Sequence, residues 1–453
     1  MTASHCDGET AHPRTGQTSV SCNVPALDPE DRVASVDALR GLVILLMIFV
    51  NDVAGVGTAP TWLKHVGIKA DAMTLPDTVF PAFLFIAGMS IPLAMQRAVT
   101  RRRSTLQRLS RVLTRTLALL VMGVLMVNME EHNPGGGLWG LLAYAAMILA
   151  FSVTPRIPDL KRRVFLTARV IGLIGLCVLI AIYRTEDGKR LVFGPLLDPG
   201  DTVWLRHSWW GILGLIAWAY LAASLIYLVL GHRREWLVGA TGLLAMLYVA
   251  DHQGLFSRVD SRAWLAWAAP AIGPLHGLFD RVNSQVSVGE SLGSLASLSL
   301  AGCCLGTILL PGSEIQTHGQ RLRWTAVYIV GLACAAMLFD PLFGINKIRA
   351  TPAWCLLCAA LTATAWAALY WIMDVHKHRA WSSIVRPAGA NPLLAYLLHP
   401  MVFLIADLAR VPLGFYKSDQ LPLAVSLLGS LLMAFLVVQL TGLIARAGYR
   451  MKV

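Results

Sequence analysis

Apolar runs long enough to cross a lipid bilayer recur from Val36 to the C-terminus. Leu42–Val50, Phe80–Met95, Leu117–Val127 and Leu427–Ala445 are the plainest cores. A helix needs roughly 20 largely apolar residues to cross about 30 Å of hydrocarbon. Inside lipid, every backbone N–H and C=O must also be satisfied within the element or its bundle. Such repetition predicts an all-α fold, a polytopic transmembrane helix bundle of about twelve spans, with a range of about 10–12. Composition agrees. Charged residues make up only 14% of the 453 residues, against about 25% in a soluble domain. Residues 1–30, rich in Ser, Thr, Pro and Asp and without an apolar core, read as a disordered cytoplasmic tail. Residues 31–453 read as one membrane domain.

A formal charge of +12 raises the question of a nucleic-acid partner. Position argues against one. Seven arginines and no acid lie between Arg97 and Arg115, beside predicted span ends. Further basic clusters follow at Lys161–Arg163, His232–Arg234, Arg321–Arg323, His376–Arg379 and Arg446–Lys452. They alternate with less basic loops, as cytoplasmic loops do under the positive-inside rule. The partner this implies is a lipid bilayer, with no nucleic acid and both termini cytoplasmic.

Span 1 runs from about Val36 to Ala54 and span 2 from about Asp77 to Ala94, so the loop between them faces outward. Spans 3 and 4 bracket an outer turn at Glu130–Gly137, and span 5 ends near Tyr183. Span 6 (Trp209–Leu230) and span 7 (Trp236–Ala250) flank a basic turn. The long outer stretch Asp251–Glu290 contains a segment, Ala263–Phe279, suited to an interfacial helix. Spans 8 to 12 fall at about 291–310, 325–343, 353–373, 389–406 and 422–445. Of the eight cysteines, six lie within apolar runs, where a small soft side chain packs. Cys355 and Cys358 form a C-x-x-C, read here as one helix face rather than a redox or zinc motif. No disulfide and no metal is expected.

Ionisable and amide groups at span ends are functional hypotheses, because they are expensive there. Asp37 and Arg40 share one face at the start of span 1, as a capping ion pair or as part of a site. Asn51 and Asp52 end the same span. His65 lies in the first outer loop, W-L-K-H-V-G, and Asp77 just inside span 2. Asp77 could fix the tautomer of an imidazole or could cap the helix, and Pro76 and Pro81 stiffen the backbone around it. G-I-N-K-I-R places Asn346 and Lys347 at the outer start of span 10. N-P-L-L-A-Y-L-L-H-P sets Asn391, Tyr396 and His399 along span 11.

Taken in order, these segments resemble the heparan-α-glucosaminide N-acetyltransferase family. The resemblance rests on S-V-D-A-L-R-G-L-V-I-L-L-M-I-F-V-N, the K-H loop, D-T-V-F-P-A-F-L-F-I-A-G-M-S-I, I-N-K, and N-P-L-L-A-Y-L-L-H. It is strongest over residues 33–97 and weaker over 340–405. It implies acetyl transfer from cytosolic acetyl-CoA, as co-substrate, to an amino sugar or glycan on the far side of the membrane. The catalytic residues it implies are His65 as general base or acetyl carrier, Asp77 as its orienting acid, and Asn51 as amide donor to the oxyanion. Asp37, Arg40, Asn346, Lys347, Asn391 and His399 are the expected substrate or acyl-CoA contacts. A bacterial inner-membrane location and a homodimer are further implications.

The chain also departs from the family pattern. H-V-G-I-K-A-D-A-M-T replaces a pattern with Trp and Gly between the histidine and the acid. Gly214 and Leu215 stand where many relatives carry a Gln-Arg pair. The acceptor is therefore read only as a sugar or glycan fragment. A secondary transporter of a sugar or small polar solute is the rival reading, but it calls for internal repeats, and the sequence shows none.

Overall fold

The computed structural model describes residues 33–131, 137–153, 159–254 and 269–451. Its long helices are α1 (Ala34–Val53), α2 (Leu75–Thr100), α3 (Thr105–Glu131), α4 (Leu138–Ala150) and α5 (Asp159–Ile182). Then come α6 (Gly211–Leu230), α7 (Arg234–His252), α8 (Ala269–Val286) and α9 (Leu295–Gly306), the last preceded by a π-helical turn at Val288–Ser294. The series ends with α10 (His318–Phe343), α11 (Pro352–Tyr370), α12 (Pro392–Leu408) and α13 (Leu423–Arg446). Extended structure among the described residues is slight; in the one two-stranded pairing, Ser152 lies opposite Met451 and Val153 opposite Arg450.

All twelve predicted spans coincide with helices. Among the described residues, nine helical segments are long and apolar enough to cross a membrane. Of the other three, α4 and α12 are apolar but shorter, and α7 falls outside the nine. On length and composition, nine of the twelve therefore qualify among the described residues. The physical reason is length for α4, with 13 residues, and α12, with 17, whereas α7 has 19 residues but is not apolar enough. The chain is a multi-pass membrane protein. The tail at 1–30 with Cys6 and Cys22, most of the turn after Glu131, and the first part of the Ala263–Phe279 segment lie outside the described residues. Its remainder falls in α8.

The bundle is built around α9, every residue of which is buried. Its sequence, L-A-S-L-S-L-A-G-C-C-L-G, is dominated by small side chains, which allow helix backbones to approach closely inside lipid. A Cβ on Gly302 would strike the Phe85 carbonyl of α2, and one on Gly88 of α2 would strike the Ser299 carbonyl. Helix α2, which carries Asp77, is thus locked backbone to backbone against the central helix. By contrast, α10 and α5 present wide apolar faces outward. Val327, Met337, Leu338 and Leu342 of α10 are 68–76% exposed, a surface that only a nonpolar surrounding stabilises.

Candidate functional site

Sequence fixes the local geometry first. T-L-P-D at the start of α2 is a capping box: Thr74 is the N-cap, and its backbone N–H donates to Asp77 Oδ2 at 3.1 Å. Asp77 is therefore the third residue of the helix rather than its cap, and Pro76 occupies the first turn, where a missing N–H costs nothing. The Thr74 hydroxyl (2.9 Å) and the Val66 N–H (3.4 Å) also point at Oδ2. That leaves Oδ1 for the histidine. His65 Nδ1 lies 2.6 Å from Asp77 Oδ1. The carboxylate is fully buried, while the imidazole is 44% exposed. A desolvated acid holding a solvent-facing imidazole is the arrangement of a general base and its orienting partner.

The loop between α10 and α11 completes the site. Asn346 is fully buried and donates its amide to the carbonyls of Gly67 (3.1 Å), Ile68 (3.2 Å) and Ala70 (2.7 Å). It thereby clamps the loop that carries His65. Asp71 returns the contact, accepting the Ile345 N–H at 2.6 Å. One residue on, Lys347 Nζ lies 3.2 Å from His65 Nδ1, 3.5 Å from Nε2 and 3.8 Å from Asp77 Oδ1. Burial lowers the Lys347 pKa below the ordinary lysine value, and attraction to Asp77 partly opposes that shift. Below the pair, the Trp354 indole N–H of α11 donates to the Asp77 carbonyl at 3.2 Å.

The other expected site residues make contacts of their own. Asn51 sits exposed on the last turn of α1 and makes no hydrogen bond to His65 or Asp77 among the described residues. Its neighbour Asp52 is buried and anchors a second cluster: Lys417 Nζ at 2.9 Å, the donating Tyr416 hydroxyl at 2.8 Å and His399 Nε2 at 3.4 Å. Burial and the bond to Asp52 push the Tyr416 phenol well above its usual range. Asp37 and Arg40 form the predicted pair at 2.9 Å near the opposite end of α1. Arg40 also reaches Ser90 of α2 at 2.7 Å and the Gly389 carbonyl at 3.3 Å. Asn391 is used structurally, accepting the Met451 N–H at 3.0 Å and so holding the C-terminal pairing.

Sequence reasoning missed Thr74, Asp52 as an anchor, Tyr416 and Lys417. The capping-box spacing was a usable signal for Thr74. Nothing local marks Lys417. At Gly214 a Cβ would meet the Trp210 Cβ at 2.7 Å, and at the crossing of α6 with α3 a Cβ on Gly123 would meet the Gly214 backbone at 2.5 Å.

Comparison with known proteins bears on what this geometry is for. Residues 32–238, which include α1, the His65 loop and α2, match a family described as a domain of unknown function (DUF5009). The chain is also similar to heparan-alpha-glucosaminide N-acetyltransferase. Against heparan-alpha-glucosaminide N-acetyltransferase of Mus musculus it is 38% identical over 99 residues, 22% of this chain and 14% of the relative. Against that of Homo sapiens it is 38% identical over 104 residues, 23% of this chain and 14% of the relative. The resemblance read from the residues is borne out at this level. The matched part spans only 14% of the length of these curated relatives.

Proposed function

We propose that this chain is a membrane-embedded acetyltransferase of the bacterial inner membrane. It moves an acetyl group from cytosolic acetyl-CoA to an amino sugar or glycan acceptor on the periplasmic side. The observation that carries the reading is the 2.6 Å contact between half-exposed His65 and fully buried Asp77, in a chain similar to an N-acetyltransferase.

With Asp77 accepting from Nδ1–H, the lone pair of His65 sits on Nε2, 3.5 Å from Lys347 Nζ. Nε2 takes the proton of the acceptor amine as that nitrogen attacks the thioester carbonyl carbon. The C–S bond then breaks and the thiolate of CoA leaves. Asp77 stabilises the imidazolium that forms. In the two-step variant, Nε2 itself attacks and carries the acetyl group to the amine. Lys347 is close enough to offset negative charge developing on the carbonyl oxygen, and Asn51 is the amide donor assigned to the same oxygen. Arg40 lies eleven residues before Asn51 on α1, about 16 Å along the helix axis. The pantetheine arm of the donor therefore has to enter the bundle between them.

The test is acetyl transfer in reconstituted vesicles, with acetyl-CoA on one side and a panel of amino sugars on the other. Transfer by the wild type and its loss in His65→Ala is the expected result. Movement of unmodified sugar without acetyl-CoA consumption would instead favour a transporter and end this reading.

A further inference from the structure

Two residues beyond Lys347, the same loop carries Arg349 into another polar cluster. Tyr248 of α7 is 1% exposed, and its hydroxyl has no hydrogen-bond partner among the described residues. Its ring meets that of Phe343, whose carbonyl accepts from Arg349, so Arg349 is tied to the same wall. Arg349 Nε is also buried without a partner, although one terminal NH2 donates to the Phe343 carbonyl at 3.3 Å. Buried polar groups without a partner are the exception in native structures.

Asp251 and Glu290 differ. Asp251 is already engaged, accepting from Asn283 Nδ2 at 2.9 Å and from the Gly289 N–H at 3.1 Å. Glu290 is partly exposed, and its carboxylate accepts no hydrogen bond among the described residues. It lies in the π-helical turn Val288–Ser294, and single π turns recur at functional sites. That turn is pressed onto α7 at the level of Tyr248, since a Cβ on Gly293 would meet the Leu244 carbonyl and the Tyr248 nitrogen, each at 3.1 Å. Aromatic rings form the wall: His252 stacks on Tyr248 at 4.7 Å, and Phe343 meets Tyr248 edge-on at 5.4 Å. The loop that carries Arg349 also carries Lys347 of the His65 site and leads into α11, whose Trp354 donates to the Asp77 carbonyl.

We propose that Tyr248, Glu290 and Arg349 form a subsite that reads the vicinal hydroxyls of a pyranose, holding the acceptor beside His65. This assignment to the acceptor rests on the acetyl-transfer reading above. A carboxylate can accept from two neighbouring hydroxyls, a guanidinium N–H can donate to a third oxygen, and a phenol can do either. A site built from such groups rejects an analogue that leaves them unpaired.

The experiment measures binding of D-glucosamine, and of cyclohexylamine as an amine without hydroxyls, to the purified full-length protein in detergent. Melting temperatures identify any variant that is misfolded. Wild type is expected to bind D-glucosamine more tightly than cyclohexylamine. Tyr248→Phe and Glu290→Gln are expected to weaken D-glucosamine by about tenfold or more and leave cyclohexylamine unchanged. His65→Ala is expected to retain sugar binding while losing transfer. Unchanged D-glucosamine affinity in both folded variants overturns the subsite, and so does a wild type that binds no D-glucosamine. His65-dependent transfer would survive either result. Sugar binding that depends on Tyr248 and Glu290 in a protein that transfers nothing would uphold the subsite and remove the transfer reading instead.

Discussion

At the residue scale, the His65 pair depends on groups that never touch a substrate. Asn346 holds three loop carbonyls with one amide. Asn346→Ala leaves those acceptors without their donor, a loss of about 1–3 kcal/mol. The expected result is a lower melting temperature and weaker transfer, with partial recovery in Asn346→Gln if reach allows. For Asn51, the role as oxyanion donor predicts a loss of about 100-fold in kcat for Asn51→Ala with folding intact. A change of less than about threefold would remove Asn51 from the mechanism. Lys347 supplies a pH test. Its pKa is lower in the folded protein, so the unfolded chain holds that proton more tightly. Below the lowered pKa, folding carries the full cost of burying an ammonium. As pH rises from there towards the ordinary value of 10.5, the folded state sheds the proton first, and stability rises. The difference in melting temperature between wild type and Lys347→Met should change in that alkaline window and stay flat below it.

At the scale of elements, the decisive contact is α2 on α9. Gly302 has no room for a Cβ, because the Phe85 carbonyl occupies that space, whereas Gly239 on exposed α7 meets nothing within 4 Å. The same substitution should therefore have opposite effects. Gly302→Ala is expected to lower the melting temperature and loosen the helix that carries Asp77. Gly239→Ala should leave stability unchanged or raise it by up to about 1 kcal/mol, since alanine restricts the unfolded backbone. Equal effects at the two positions would mean that the close crossing does not govern stability. The end of α1 gives a second test. Asp52→Asn deprives Lys417 of its counter-charge, a loss of the order of 3–5 kcal/mol. Adding Lys417→Met should recover part of that loss in the double variant, as read by detergent melting.

At the scale of the whole molecule, the arginine-rich segment 97–115 and the His65 loop flank α2 at its two ends. Under the proposed function they lie on opposite faces of the membrane. A cysteine at Gly67, where a side chain meets open space, should react with an impermeant thiol reagent from the periplasmic side. One at exposed Gln107 should react only from the cytoplasmic side. Labelling of both from the same side would contradict the transmembrane route. Much of the architecture was legible in sequence, because hydropathy is summed over some twenty residues and tolerates local error. The number of qualifying spans was not, since α4 is only 13 residues long and α12 only 17.

The sequence by itself determined that this chain forms an apolar helix bundle, and that His65 and Asp77 stand at the two ends of one short, proline-stiffened loop. Periodicity, composition and capping chemistry act over a few residues, and they leave their mark in the order of residues. Only the tertiary structure decided which distant groups join them. Lys347 reaches His65 across 282 positions of chain, and Lys417 reaches Asp52 only after α13's neighbours fold back to the end of α1. Those pairings depend on how closely α2, α9 and α11 approach one another. That distance is set by glycines packed against carbonyls, and no local pattern of residues encodes it.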